Sequence, residues 1–134
     1  MPCFIPSYNF DGLDCLVCKR PLGSYDALKC KTNKFRRVHR DGHVYGMCCG
    51  CTELLLKIER EDNPWSLVCP HDFKKVFGRQ VGDCIVRCYY CGCPLSDSEK
   101  DRHALASEGY LFLRGKPRGR CYACASDGRR PCLY

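Results

Sequence analysis

Cys88-Tyr89-Tyr90-Cys91, then 29 residues, then Cys121-Tyr122-Ala123-Cys124 is the stretch whose reading decides the fold. Two Cys-x-x-Cys pairs facing each other across a folded loop supply four sulfurs, the donor set of a closed tetrahedral zinc site. The two residues inside each pair form a small knuckle that lets both thiolates point at one metal.

The same pattern stands 73 positions upstream, where Cys15, Cys18, Cys48 and Cys51 map onto Cys88, Cys91, Cys121 and Cys124. The shift also carries Pro21-Leu22 onto Pro94-Leu95, Asp26 onto Glu99, Gly42 onto Gly115 and Gly46 onto Gly119. An internal repeat of ligands, turn glycines and packing residues marks a duplicated unit. The predicted fold is a small α+β zinc-binding protein: two tandem repeats of a four-cysteine zinc module joined by a connector helix. Its predicted divisions are an N-terminal arm over 1–14, a first module over 15–51, a helical connector over 52–82, a second module over 83–126 and a tail over 127–134. Two structural zinc ions are expected per chain.

Composition fits that reading. The chain has 134 residues, and its hydrophobic share of 45% includes all 15 cysteines, so each module has a thin apolar core. Modules of roughly 70 residues are marginal on burial alone and need a metal or disulfides. Metal coupling of about 10–16 kcal/mol in small zinc peptides is large enough to decide folding. A secreted disulfide framework is the competing reading of so many cysteines. Against it stand the odd count, the metal-type spacing, and a start (Met1-Pro2-Cys3-Phe4-Ile5-Pro6) without a basic region and apolar run. Thiolate ligands persist in a reducing compartment. No apolar run is long enough to cross a bilayer.

The formal charge is +7. Each four-thiolate zinc site carries −2, so two of them bring the sum to +3, which weakens an argument for nucleic acid from net charge alone.

Along the chain, a short helix is predicted from Ser24 as N-cap through Cys30, with Asp26 in its first turn. Phe35 to Arg40, Asp41-Gly42, then His43-Val44-Tyr45 reads as a β-hairpin, since an Asp-Gly turn supplies the positive φ that such turns need. Thr52 to Asp62 reads as a helix with Leu54, Leu55 and Ile58 on one side. Glu53 and Lys57 form a favourable i, i+4 pair on it. Trp65 to Cys69 is a short apolar run, and Pro70 opens a second helix with Phe73, Val76 and Phe77 on one face and Gly78 as stop. Ser96 and Glu99 form a capping box for a helix to about Ala106, and Tyr110 to Leu113 reads as a strand.

With these residues, and with Arg40-Asp41-Gly42, Val86-Arg87-Cys88, Pro94-Leu95, Glu99-Lys100, Arg102-His103 and Arg114-Gly115 through Cys121, the sequence resembles the papillomavirus early protein six family over nearly its whole length. The sister early protein seven resembles only one module and carries a Leu-x-Cys-x-Glu string, which is absent here.

The resemblance implies a viral adaptor without an active site, acting in the host nucleus and cytoplasm on transcription and Notch signalling, differentiation and apoptosis. It implies a groove between the two zinc domains that takes an acidic Leu-x-x-Leu-Leu helix of a host protein: a ubiquitin ligase, a Mastermind-like coactivator or paxillin. Carried over by position, the apolar wall comprises Phe35, Val38, Met47, Leu54 and Leu55. The basic contacts are Arg87 and Lys116, with Arg114 and Arg40 as secondary candidates. Lys116 stands where some members have Arg, so a two-pronged carboxylate grip becomes a point-charge contact. Some members end in a PDZ-binding tail with Ser or Thr two residues before a terminal aliphatic residue. Here Cys132 and Tyr134 occupy those places, so no PDZ binding is expected. Self-association is expected to reach at most a weak homodimer.

Blander readings stand beside these. Cys3, Cys30, Cys49, Cys69, Cys84, Cys93 and Cys132 read as core or surface thiols, a source of oxidation and aggregation. His39, His43, His71 and His103 are not needed as ligands where four sulfurs are present. Leu54, Leu55 and Ile58 alone would read as a core stripe. The basic, Gly-rich run from Arg114 to Arg120 reads as a solvated hairpin or, alternatively, a phosphate-contacting surface of a zinc-dependent nucleic-acid-binding regulator, though no finger spacing accompanies it. Closed four-sulfur sites lack the open position of a catalytic zinc, so an enzyme is not expected. A RING ligase module would interleave its ligands, whereas here they run in sequence.

Overall fold

A computed structural model describes residues 10–130. The readings placed on the first nine residues and on 131–134, Cys3 and the Cys132-Leu133-Tyr134 tail among them, lie outside these. The chain divides into two compact units, Met1–Leu55 and Leu56–Tyr134, with the boundary inside one helix.

In the first unit, β1 (Asp14–Cys15), α1 (Ser24–Thr32), β2 (Val38–Arg40), β3 (His43–Gly46) and the start of α2 (Cys49–Asp62) follow in order. The sheet runs β1-β3-β2, with β1 parallel and β2 antiparallel to β3. Arg40 pairs with His43 across a two-residue turn in which Asp41 and Gly42 have φ of 52° and 80°. That is the hairpin the Asp-Gly pair called for. Phe10, Ala27 and Cys30 form the buried core.

The second unit holds β4 (Trp65–Val68), a 3₁₀ turn (Pro70–Asp72), α3 (Phe73–Phe77), β5 (Arg87–Cys88), α4 (Asp97–Leu105), β6 (Tyr110–Leu113), β7 (Lys116–Gly119) and α5 (Tyr122–Ser126). Its sheet order is β4-β6-β7-β5. A shift of 73 superposes β1 on β5, α1 on α4 and β3 on β7, residue for residue. It even reproduces the isolated bridge of Asp14 to Pro21 as that of Arg87 to Pro94. Gly46 and Gly119 show why those positions repeat. A Cβ there would lie 2.7 Å from Leu22 Cδ1 in one unit and 2.6 Å from Leu95 Cδ1 in the other, so the leucine packs directly on bare backbone.

Some local expectations shift. Gly23, not Ser24, is the N-cap of α1, with no side-chain cap bond, and the helix runs two residues past Cys30. The capping box on α4 forms as read: Ser96 Oγ accepts the Glu99 N–H at 3.2 Å, and Glu99 Oε1 accepts the Ser96 N–H at 2.7 Å. α2 starts at Cys49 rather than Thr52. Its first turn is held by the Asp26 carboxylate, whose Oδ1 accepts the Cys49 N–H at 3.1 Å. Glu99 Oε2 does the same for the Tyr122 N–H of α5 at 2.7 Å. An acidic group at a helix N-terminus satisfies an orphan donor and the dipole together. The mapping of Asp26 onto Glu99 is thus a repeated device that seats the helix carrying the fourth cysteine. Finally, α3 is only five residues long and buries Phe73 and half-buries Phe77, four apart, while Val76 is 57% exposed. A helix this short has room for one apolar contact line.

Candidate metal centres

The two cysteine sets named from spacing come together. The sulfurs of Cys15, Cys18, Cys48 and Cys51 all lie within 4.8 Å of one another, as do those of Cys88, Cys91, Cys121 and Cys124. Separations of 4.0 Å for Cys18–Cys48 and 3.7 Å for both Cys88–Cys124 and Cys91–Cys121 match the edge of a tetrahedron. With zinc–sulfur bonds of about 2.3 Å, that edge is about 3.8 Å. The Cys51 N–H points at Cys48 Sγ and the Cys124 N–H at Cys121 Sγ, each at 3.4 Å, so one sulfur of each knuckle is met by a backbone donor. The same contacts are available to a metal-bound thiolate.

Thiols packed this closely perturb each other. Burial, aided by hydrogen bonds with Cys48 and Cys15, pushes Cys51 up to about 12. Burial and the charge of Cys88 do the same to Cys124. Cys15, which burial alone would raise, is brought down to about 6 by hydrogen bonds from the backbone of Cys48, Cys18 and Val17. A set that cannot ionise together in isolation is suited to a divalent cation, which deprotonates its thiols and neutralises half their charge. All eight cysteines therefore fit two structural zinc ions. Among the described residues, no histidine joins either set.

His103 instead props the second site from behind. It is fully buried and stacked on Tyr110 with ring centroids 4.4 Å apart. Its Nε2 accepts the N–H of Arg120, the residue before Cys121, at 3.0 Å, which leaves Nδ1 to donate to the Glu108 carbonyl at 3.1 Å. Burial lowers its pKa, consistent with a neutral ring. The equivalent position in the first unit is Cys30, whose thiol donates to the carbonyl oxygen of Met47, directly before Cys48, at 3.1 Å. Sequence reading gave Cys30 as a core or surface thiol and His103 as a histidine not needed for ligation. The repeat alignment of Cys30 with His103 was the available signal.

The proposed groove residues fall in both units. In the first, Phe35 packs against the core, Val38 and Met47 are half-buried, and Leu54 and Leu55 are exposed on α2. Leu54, Leu55 and Ile58 are each at least 40% exposed, and α2 has no buried residue, so the stripe is not core. Arg40 is exposed and donates to its neighbour's carbonyl.

In the second unit, Arg87 and Lys116 line one concavity of about 580 Å³ with Arg79, Arg118, Asp83 and the 72% exposed Ile85. Arg87 donates to the Gly92 carbonyl at 2.8 Å, and burial draws its pKa down. Arg114 instead pairs with Glu59 at 3.3 Å, beside Arg118 at 2.9 Å on the same carboxylate. Arg118 was not anticipated. Lys116 and Arg118 alternate along β7, so the strand period of two places them on one face.

Comparison with known proteins fits this frame. A family model described as Early Protein (E6) matches residues 15–124, the span from the first ligand to the last. The chain belongs to the E6 early-protein family of papillomaviruses. It is 66% identical to Protein E6 of bovine papillomavirus type 5 over 134 residues, covering all of both chains. It is 38% identical to Protein E6 of bovine papillomavirus type 1, covering 95% of this chain and 93% of that one. Among solved structures, the C-terminal zinc-binding domain of HPV51 oncoprotein E6 matches at 20% identity with a TM-score of 0.45, covering 52% of this chain and 91% of that one. As a family member the chain is a viral early protein built on zinc-binding domains. None of its described helices is long and apolar enough to cross a membrane.

Proposed function

We propose that the chain is an adaptor that captures an acidic Leu-x-x-Leu-Leu helix of a host protein. The carrying observation is the concavity of the second unit, where Arg79, Arg87 and Lys116 share the lining with a single acid, Asp83, beside exposed Ile85, while Arg118 of the same lining is paired with Glu59. Basic groups next to apolar surface suit an amphipathic acidic helix, with leucines on the apolar contacts and carboxylates on the guanidinium and ammonium groups. Leu54, Leu55 and Ile58 offer further uncovered apolar contact, and Phe35, Val38 and Met47 complete the proposed apolar set.

The host proteins of this reading are a ubiquitin ligase, a Mastermind-like coactivator or paxillin, met in the nucleus and cytoplasm. Through them the chain alters transcription, differentiation and apoptosis by binding rather than catalysis. The nucleic-acid reading is weaker because Arg118 and Arg120, from the basic run, are committed to Glu59 and Glu108 at 2.9 and 2.7 Å.

The test is a panel of acidic Leu-x-x-Leu-Leu peptides of the three classes, titrated against the zinc-loaded full chain by fluorescence polarisation. At least one class is expected to bind, with Arg87→Ala and Leu55→Ala each weakening it tenfold or more, about 1.4 kcal/mol. Binding by none of them overturns the reading. Tight DNA binding with a steep salt dependence would replace it with the nucleic-acid one.

A further inference from the structure

Cys93 is one of the thiols of the second unit that four-sulfur ligation leaves over. Its Sγ is 3.4 Å from Sγ of the ligand Cys91, closer than the 3.7 Å between Cys91 and its fellow ligand Cys121. The loop is built to hold it there. Gly92, at φ 83°, folds the chain back between the two cysteines. The Cys93 carbonyl accepts the Cys88 N–H at 2.8 Å, and Arg87 clamps the Gly92 carbonyl at 2.8 Å. Cys91 is also the one ligand of this set that is not fully buried, and Cys93 is half-buried beside it.

The first module makes the same backbone bond, from Cys15 N–H to the carbonyl of Arg20, at 2.9 Å. The loop therefore needs no thiol at this position, and Cys93 is an addition to it.

We propose that Cys91 and Cys93 form a peroxide-reactive thiol pair, a modification site that opens the second zinc centre. The Cys91 thiolate attacks a peroxide oxygen, breaking the O–O bond. It becomes a sulfenic acid and releases hydroxide. The Cys93 thiol then attacks that sulfur; the S–S bond forms, and the sulfenic oxygen leaves with the thiol proton as water. Two sulfurs lose one electron each and the peroxide gains both. The sulfurs start 3.4 Å apart and close to the disulfide length of about 2.04 Å. Cys88, Cys121 and Cys124 remain as three ligands, so the closed site loses a donor and holds zinc less tightly. A thiol reductant reverses the step.

The experiment treats the zinc-loaded full chain with hydrogen peroxide. It follows zinc release with a chromophoric chelator and maps sulfur chemistry by mass spectrometry after alkylation of free thiols. The tryptic peptide 88–100 contains Cys88, Cys91 and Cys93. The expected product carries one alkyl group, on Cys88, and a Cys91–Cys93 disulfide. Cys93→Ser is expected to slow zinc release from the second site by about fivefold or more, because a positioned partner thiol is lost. Zinc is expected to rebind to the wild-type chain after reduction. Should Cys93→Ser fail to take up two zincs, Cys93→Arg, which copies Arg20 of the first module, provides the same comparison. The proposal is overturned if Cys91 pairs with another ligand, or if the variant releases zinc from the second site as fast as wild type.

Discussion

Cys30 gives its S–H to the carbonyl before Cys48, while His103, at the equivalent place, takes the N–H before Cys121. The two modules thus brace the equivalent residue, the one before the third ligand, from the same helix position, one at its carbonyl and the other at its N–H. Their surroundings diverge further. Behind the first site, among the described residues, lies a small buried cluster of Phe10, Ala27 and Cys30 with Leu13, Leu22 and Phe35 packed against it, and the ligand Cys18 is exposed. Behind the second lies a larger core including Phe73, Val86, Leu95 and Tyr110, with three of four ligands buried. A fourth strand there pairs β4 with β6 from Trp65↔Leu113 to Val68↔Tyr110. No strand counterpart stands beside β2 among the described residues. The expectation that follows is that the metal site specifies the local frame, and that surrounding burial sets how far the frame depends on the metal.

Chelation should widen that contrast most. Metal coupling worth about 10–16 kcal/mol exceeds what a small core supplies. Titrating a strong zinc chelator while following amide hydrogen exchange should therefore expose β2 and β3 before β6 and β7. Simultaneous loss would mean that the extra core of the second module contributes nothing independent.

A smaller effect is expected at the bare-backbone contacts. Gly46→Ala and Gly119→Ala each force a Cβ into a leucine, at a cost of about 1–3 kcal/mol. Both new Cβ atoms also meet a buried ring, Phe10 at 3.1 Å and His103 at 3.0 Å, and Gly119→Ala should cost more because Leu95 is buried whereas Leu22 is only half-buried. Urea denaturation of the zinc-loaded variants gives both values, and equal ones would show that the first core is as rigid as the second.

The smallest difference lies in the helix caps. Ser96→Ala removes a formed capping box and should cost about 1 kcal/mol. Gly23→Ser places a hydroxyl where a Cβ has open space, and should gain a few tenths of a kcal/mol. Local hydrogen exchange in α4 and α1 reads both.

Much of this was legible because it rests on local chemistry. Ligand spacing named all eight cysteines, the Asp-Gly pair fixed the first hairpin, and Tyr110 to Leu113 forms the strand that its apolar run implied. Other features needed distant partners. The start of α2 at Cys49 depends on a carboxylate 23 residues earlier. Val76 follows an apolar pattern that so short a helix does not use. The roles of Cys30 and His103 appear only with the peptide that each one faces.

The Cys88–Cys124 stretch and its copy 73 residues upstream determined the metal, the repeat and the family from sequence alone, because tetrahedral ligation imposes its spacing on the chain. Tertiary structure decided which thiol lies against a ligand, which arginines share a concavity and which module has a substantial core. Those depend on residues far apart in sequence whose approach is set by packing, and packing leaves no fixed spacing to read.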